Sequence, residues 1–202
     1  MQATYSDTWN QRFAIRPECY GTAPNSWLAE NAGRIPPKGA VLCLAEGQGR
    51  NAIWLAQRGL SVTAVDFSEI ALAQLARRAR RTGVTVATIE ADLATWPTPE
   101  AAYDAVVLVF AHFVPAVRLR VHRLAVAALK PGGVVILEAF NKRQLGLPSG
   151  GPRDEEMLQS SAELQSDFAA LRIEHLGETE VTLDEGPLHH GPARVVRLIG
   201  IR

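Results

Sequence analysis

Between residues 40 and 140 short apolar runs alternate with segments of helical period. Val41–Ala45, Ser61–Asp66, Val84–Ile89, Tyr103–Phe110 and Val134–Ala139 read as strands, and the unbroken apolar run at 105–110 suits a central parallel one. Helices are expected over residues 50–58, from a Ser68 cap to Gly83 with Ile70, Leu72, Leu75 and Ala76 inward, and over about 116–129. Gly59 suits a helix C-terminus, and Lys130-Pro131-Gly132-Gly133 reads as a stop and turn. Strand–helix alternation of this kind predicts an α/β fold with a doubly wound, mostly parallel sheet.

The pattern changes outside this block. Residues 141–160 carry Gly146, Pro148, Gly150, Gly151 and Pro152, which predicts a loop over the substrate side. A helix with Leu164, Phe168 and Leu171 follows, then strands Arg172–Leu183 and Ala193–Ile201 around a turn at Asp184-Glu185-Gly186-Pro187. No crossover helix separates them, so an antiparallel terminal pair is expected. Residues 1–35 hold Tyr5, Trp9, Phe13, Tyr20 and Trp27. Asp7 is expected to cap a helix with Trp9 and Phe13 on one face, and Asn25 a second helix ending near Gly33. This aromatic segment is either a packing arm or a lid. With no repeat and no boundary, residues 1–202 read as one domain.

Composition narrows the function classes. Lys plus Arg (21) equals Asp plus Glu (21) in 202 residues, so no global field recruits nucleic acid or an anionic membrane. Arg77, Arg78, Arg80 and Arg81 are read as the solvated side of a helix rather than a nucleic-acid patch. Cys19 and Cys43 form no paired motif, no apolar run reaches transmembrane length, and the N-terminus is not signal-like, so a cytoplasmic protein is expected.

Candidate chemistry centres on Glu46-Gly47-Gln48-Gly49, between the first strand and a helix. Two glycines let the backbone turn and a ligand approach, and the helix's free N–H groups point back at the loop. Gly47-x-Gly49-x-x-Ala52, with Asp66 ending the second strand, fits a dinucleotide fingerprint and equally another adenosine cofactor. Asp92 after the third strand can accept from an adenine amine. That acid, the Lys-Pro-Gly-Gly turn, the two-strand ending and the lack of a separate catalytic half favour the second alternative over a nicotinamide oxidoreductase.

The chain resembles class I S-adenosylmethionine-dependent methyltransferases, most closely the branch related to tellurite-resistance methyltransferases. The likeness rests on Trp9-Asn10-x-Arg12-Phe13, Tyr20-Gly21-Thr22-x-Pro24-Asn25, Leu42–Asn51, Val65-Asp66, Asp92-Leu93, Leu129–Gly133 and Leu188-His189. It implies a Rossmann-like seven-stranded sheet with the last strand antiparallel. The glycine loop would hold the methionine end of the cofactor, Asp66 the ribose and Asp92 the adenine. Expected cofactor contacts are thus Trp9 and Tyr20 from the arm, Ala45, Glu46, Gly47, Gly49 and Asn51 from the loop, Asp66 with Phe67, Asp92 with Leu93, and Phe110 at the fourth strand's end. Two positions depart from the family pattern: Cys43 stands for its acid and Ala45 for its first glycine. Glu46 is expected to supply the missing negative charge, and Ala45 to keep a negative φ.

His112 lies just past a central strand's carboxyl end, where open α/β sheets place ligands. Adjacent His189 and His190 on extended chain face opposite ways, so at most one reaches the site; the resemblance assigns His189 to catalysis. The set has no metal-site spacing, and no metal is expected. Val109-Phe110-Ala111-His112-Phe113 is not the Asp/Asn-Pro-Pro-aromatic signature of amide- and nucleobase-nitrogen methyltransferases. A small molecule is expected as substrate, with a soft, already ionised nucleophile such as a thiolate or chalcogen oxyanion. A cofactor sensor without catalysis is the alternative of a different class. Oligomeric state is unreadable.

Overall fold

The computed structural model describes residues 5–97 and 100–202, with side chains from residue 8 onward. Seven strands form one sheet in the order β3-β2-β1-β4-β5-β7-β6: β1 Ala40–Leu44, β2 Ser61–Asp66, β3 Ala87–Glu90, β4 Tyr103–Val109, β5 Leu129–Phe140, β6 Arg172–Asp184 and β7 His190–Ile201. Strands β1 to β5 pair in parallel, and β7 runs antiparallel to both β5 and β6. The expected sheet is present.

Alternate side chains of each strand enter opposite layers. Leu42, Leu44, Val106, Leu108, Val135 and Leu137 pack on helices α5 (Pro115–Ala128) and α6 (Ser161–Asp167). Val41, Cys43, Val62, Ala64, Ala105 and Val107 pack on α2 (Ser26–Asn31), α3 (Arg50–Gln57) and α4 (Glu69–Arg81). Cys43 is thus core, fully buried, in the place of an expected acid. Asn25 caps α2 by accepting from Leu28 N at 3.0 Å, and Ser68 caps α4 by accepting from Ala71 N. Among the described residues no helix is long and apolar enough to cross a membrane.

Five local expectations change. Helix α1 spans Tyr5–Ile15, so Asp7 lies within it rather than at its cap; the Tyr5 and Asp7 side chains lie outside the described residues. Strand β3 begins at Ala87, not Val84, because its register is set by pairing Thr63 with Ala87 on β2. Lys130–Gly133 bulge out of a strand that already starts at Leu129: Leu129 pairs with Tyr103 and Val134 with Ala105. Ala45 has φ +51, not the expected negative value. Arg77, Arg80 and Arg81 are exposed, whereas Arg78 reaches back to donate to the Gln48 carbonyl at 3.0 Å.

Candidate active site

Strand order reverses between β1 and β4, and both carboxyl ends open on one crevice, the default ligand site of such sheets. There the chain leaves β1 through Ala45 (φ +51), Glu46, Gly47 (φ +63), Gln48 and Gly49 (φ +83) before entering α3. Glu46 folds back over the start of that helix. Its Oε1 accepts from Asn51 N at 3.1 Å and Ala52 N at 2.8 Å, two N–H groups with no partner inside the helix. Asp66, at the end of β2, accepts from Gly47 N and Ser68 N, both at 2.8 Å. A Cβ on Gly49 would stand 2.3 Å from Leu75 Cγ, a position the protein already fills, whereas one on Gly47 would meet Phe13 Cζ at an ordinary 3.4 Å.

A cavity of about 480 Å³ runs from this loop past the end of β4 to the β6–β7 hairpin. Its wall includes Trp9 and Tyr20 from the arm, Ala45, Glu46, Gly49 and Asn51 from the loop, Asp66 and Phe67 after β2, Phe110 and His112 after β4, and His189 from the hairpin tip. Gly47, Asp92 and Leu93 are not in the wall. Gly47 acts one step back through its bond to Asp66. Asp92 is exposed and accepts from Ala94 N in its own turn at 2.8 Å, while Leu93 is core. Of the two adjacent histidines, His189 is 6% exposed and His190 points to solvent.

Arg50, Phe113 and Phe140 also line the wall without having been singled out from the sequence, and Gly151–Asp154 and Met157 reach it from the loop at 141–160. Arg50 stands inside the glycine motif and was within reach of sequence reasoning. Phe113 and Phe140 carry no local signal of this role, because only the sheet brings the ends of β4 and β5 side by side. A buried polar network backs the wall. Asn25 Nδ2 donates to Glu138 Oε1 at 2.6 Å and Glu185 Oε1 at 2.9 Å. Arg50 Nη2 donates to Glu185 Oε2 at 2.7 Å, and Arg197 Nε to Glu138 Oε2 at 2.5 Å. Asn51 Oδ1 accepts from Asn25 N, tying α3 to the arm.

Burial dominates the electrostatics. It lifts Glu46 to about 7, against the bonds from Ala52 and Asn51 and the Arg50 charge. It raises Asp66 from its ordinary value and lowers both His112 and His189. Glu185 goes the other way: burial pushes it up, but neighbouring His189 and Arg50 bring it down to about 2. His189, Phe110, Phe140 and Tyr20 form one aromatic cluster, with His189 4.5 Å from Tyr20 and 4.6 Å from Phe110, centroid to centroid.

Residues 41–133 match the model of a methyltransferase domain. No curated protein matches the chain. Among solved structures, the protein described for conversion of a disulfide bond into a thioacetal group during echinomycin biosynthesis is 21% identical. Its TM-score is 0.78, over 98% of this chain and 92% of that one. A SAM-dependent methyltransferase from Methanosarcina mazei is 17% identical, TM-score 0.68, over 85% and 95%. TehB from Haemophilus influenzae is 19% identical, TM-score 0.67, over 96% of this chain and 67% of that one. These likenesses show the fold.

The site's own chemistry fits S-adenosylmethionine. Arg50 is 8% exposed, and its Nη1 has no hydrogen-bond partner among the described residues while its Nη2 is paired. A buried guanidinium N–H at a cavity wall calls for an anionic group such as a carboxylate. Acceptors for ammonium and ribose hydroxyls stand nearby in Glu46 and Asp66, and the cavity volume suits a cofactor. The match of residues 41–133 to a methyltransferase domain and the chemistry of the site thus agree on S-adenosylmethionine as the enzyme's cofactor.

Proposed function

We propose that the chain methylates a small molecule at a soft nucleophile, with sulfur as the acceptor atom. The observation that carries this reading is the continuity of the cavity from the glycine loop to a chamber walled by Phe110, Phe113, Phe140, Met157, His112 and His189. Cofactor and acceptor then share one water-poor space, and alignment is the main contribution a protein makes to such a displacement. When bound, S-adenosylmethionine supplies an electrophilic methyl group on a sulfonium sulfur. Arg50 would take its carboxylate, Glu46 its ammonium, Asp66 the ribose hydroxyls and Phe67 a face of the adenine. Trp9 and Tyr20 line the cavity from the arm, and Gly151–Asp154 with Met157 line it from the loop before α6.

The chamber favours a thiol-type acceptor over a chalcogen oxyanion. Both its histidines are pushed toward the neutral form, and its aromatic rings offer sulfur good contacts but cannot replace the hydration of an oxyanion. The sulfur chemistry described for the echinomycin protein accords with this choice.

Calorimetric titration with S-adenosylmethionine and then with NADH tests the cofactor, and binding of NADH alone would overturn it. Mass spectrometry of reactions with aryl thiols, tellurite, amines and alcohols tests the acceptor. Methyl transfer to the thiols is expected; turnover confined to amines or alcohols removes the sulfur assignment, and none on any acceptor favours a cofactor sensor.

A further inference from the structure

His112 is held in one orientation and one protonation pattern by its surroundings. Its Nδ1 lies 3.1 Å from the carbonyl oxygen of Met157, 45 residues away. A carbonyl oxygen only accepts, so Nδ1 carries a hydrogen. The Phe140 ring stacks on the imidazole at 5.5 Å, 12° from parallel, and Phe110 lies 6.5 Å away on centroids. Burial drives the ring down to about 4, the Met157 bond opposes it, and His189 adds to the fall. At neutral pH the ring therefore has one hydrogen, on Nδ1, and Nε2 is a bare lone pair. That Nε2 is buried and has no hydrogen-bond partner among the described residues. An unmet buried acceptor is unfavourable, and this one belongs to a residue of the cavity wall.

We infer that the acceptor enters as a neutral thiol, R–S–H, whose hydrogen is received by His112 Nε2, so that His112 serves as the general base of the reaction. This rests on the methyl-transfer reading above. The S–H bond gives its proton to Nε2, a sulfur lone pair forms the new bond to the methyl carbon, and the pair of the broken carbon–sulfur bond returns to the departing thioether. The thiol need not ionise first. As the new bond forms, the acceptor sulfur gains positive charge and its S–H becomes strongly acidic, so a weak base suffices. An already ionised nucleophile would instead set its negative charge against the Nε2 lone pair. The expectation of an ionised acceptor, made from the sequence because no acid–base pair was visible, is replaced by this one.

Other ionisable groups that share the cavity wall are His189 on the hairpin tip, Glu46 and Arg50 on the loop and α3, Asp66 after β2, Arg12 and Tyr20 on the arm, and Arg153 and Asp154 near Met157. The decisive measurement uses wild-type protein and substituted thiophenols of graded acidity. Under this inference kcat/KM falls as each thiol ionises, with a break that follows the thiol's pKa from one acceptor to the next. A rate that rises with ionisation overturns the inference and leaves methyl transfer standing. Methylation of no thiol by protein that binds S-adenosylmethionine overturns both the sulfur reading and the inference. His112→Gln should lower kcat about 100-fold or more and leave the calorimetric affinity for S-adenosylmethionine within about twofold. Independently of activity, ¹⁵N imidazole shifts of the labelled protein at pH 7 should place the hydrogen on Nδ1, and a hydrogen on Nε2 would refute the assignment.

Discussion

Ala45 sits at φ +51, a left-handed conformation that favours glycine. A left-handed alanine costs about 1 kcal/mol, and the peptide that follows it donates Glu46 N–H to the Val65 carbonyl of β2 at 3.3 Å. Glu46, the next residue, is held by two helix N–H groups yet raised to about 7 by burial. Its folded pKa lies above the unfolded 4.5, so its burial favours the fold below about pH 4.5, and this contribution is lost as pH rises to 7. A cationic ligand has the opposite preference, for the ionised carboxylate. Affinity for S-adenosylmethionine should thus rise between pH 6 and 8 by up to about tenfold, and Glu46→Gln should flatten that rise in calorimetry. The same substitution should weaken S-adenosylmethionine more than adenosine; equal losses would show that Glu46 serves only the helix.

At the level of elements, the glycine loop is a joint between β1, α3 and α4 as much as a ligand cradle. Gly49 has φ +83, and its absent Cβ makes room for Leu75 of α4. Gly49→Ala combines backbone strain with a core clash and should cost about 2–4 kcal/mol in urea denaturation. Leu75→Ala in the same chain should give back part of that loss, so that the double variant is less destabilised than the two single losses added together. The role of Gly49 in a sharp turn was legible from its place between strand and helix. Its role in packing was not, because Leu75 approaches from 26 positions away.

Across the whole molecule the site depends on charges buried between distant segments. Glu185 of the hairpin meets Arg50 of α3 and Asn25 of the arm, and Asn25 continues to Glu138 on β5 and Arg197 on β7. The hairpin is also stitched to the arm by Leu188 N donating to the Cys19 carbonyl at 3.1 Å. Removing the charge of Glu185 strands a buried guanidinium, so Glu185→Gln should cost about 3–5 kcal/mol at pH 7. With a folded value of about 2, below the unfolded 4.5, Glu185 stabilises above about pH 4.5, and its contribution is lost as pH falls toward 2. The gap between wild type and variant in urea denaturation should therefore narrow at pH 3.

Local patterns determined the architecture. The strand–helix alternation, the caps at Asn25 and Ser68, the glycine turn and the opposed faces of His189 and His190 all depend on residues within a few positions of one another, and all are present in the fold. Tertiary structure decided the chemistry. The occupation of the Gly49 gap by Leu75, the bond from Gly47 to Asp66, the free Nη1 of Arg50 and the hydrogen on His112 Nδ1 each follow from a partner far along the chain or from burial. Periodicity and capping are short-range and can be read along a sequence, whereas protonation and partnership are set by whatever the fold brings alongside.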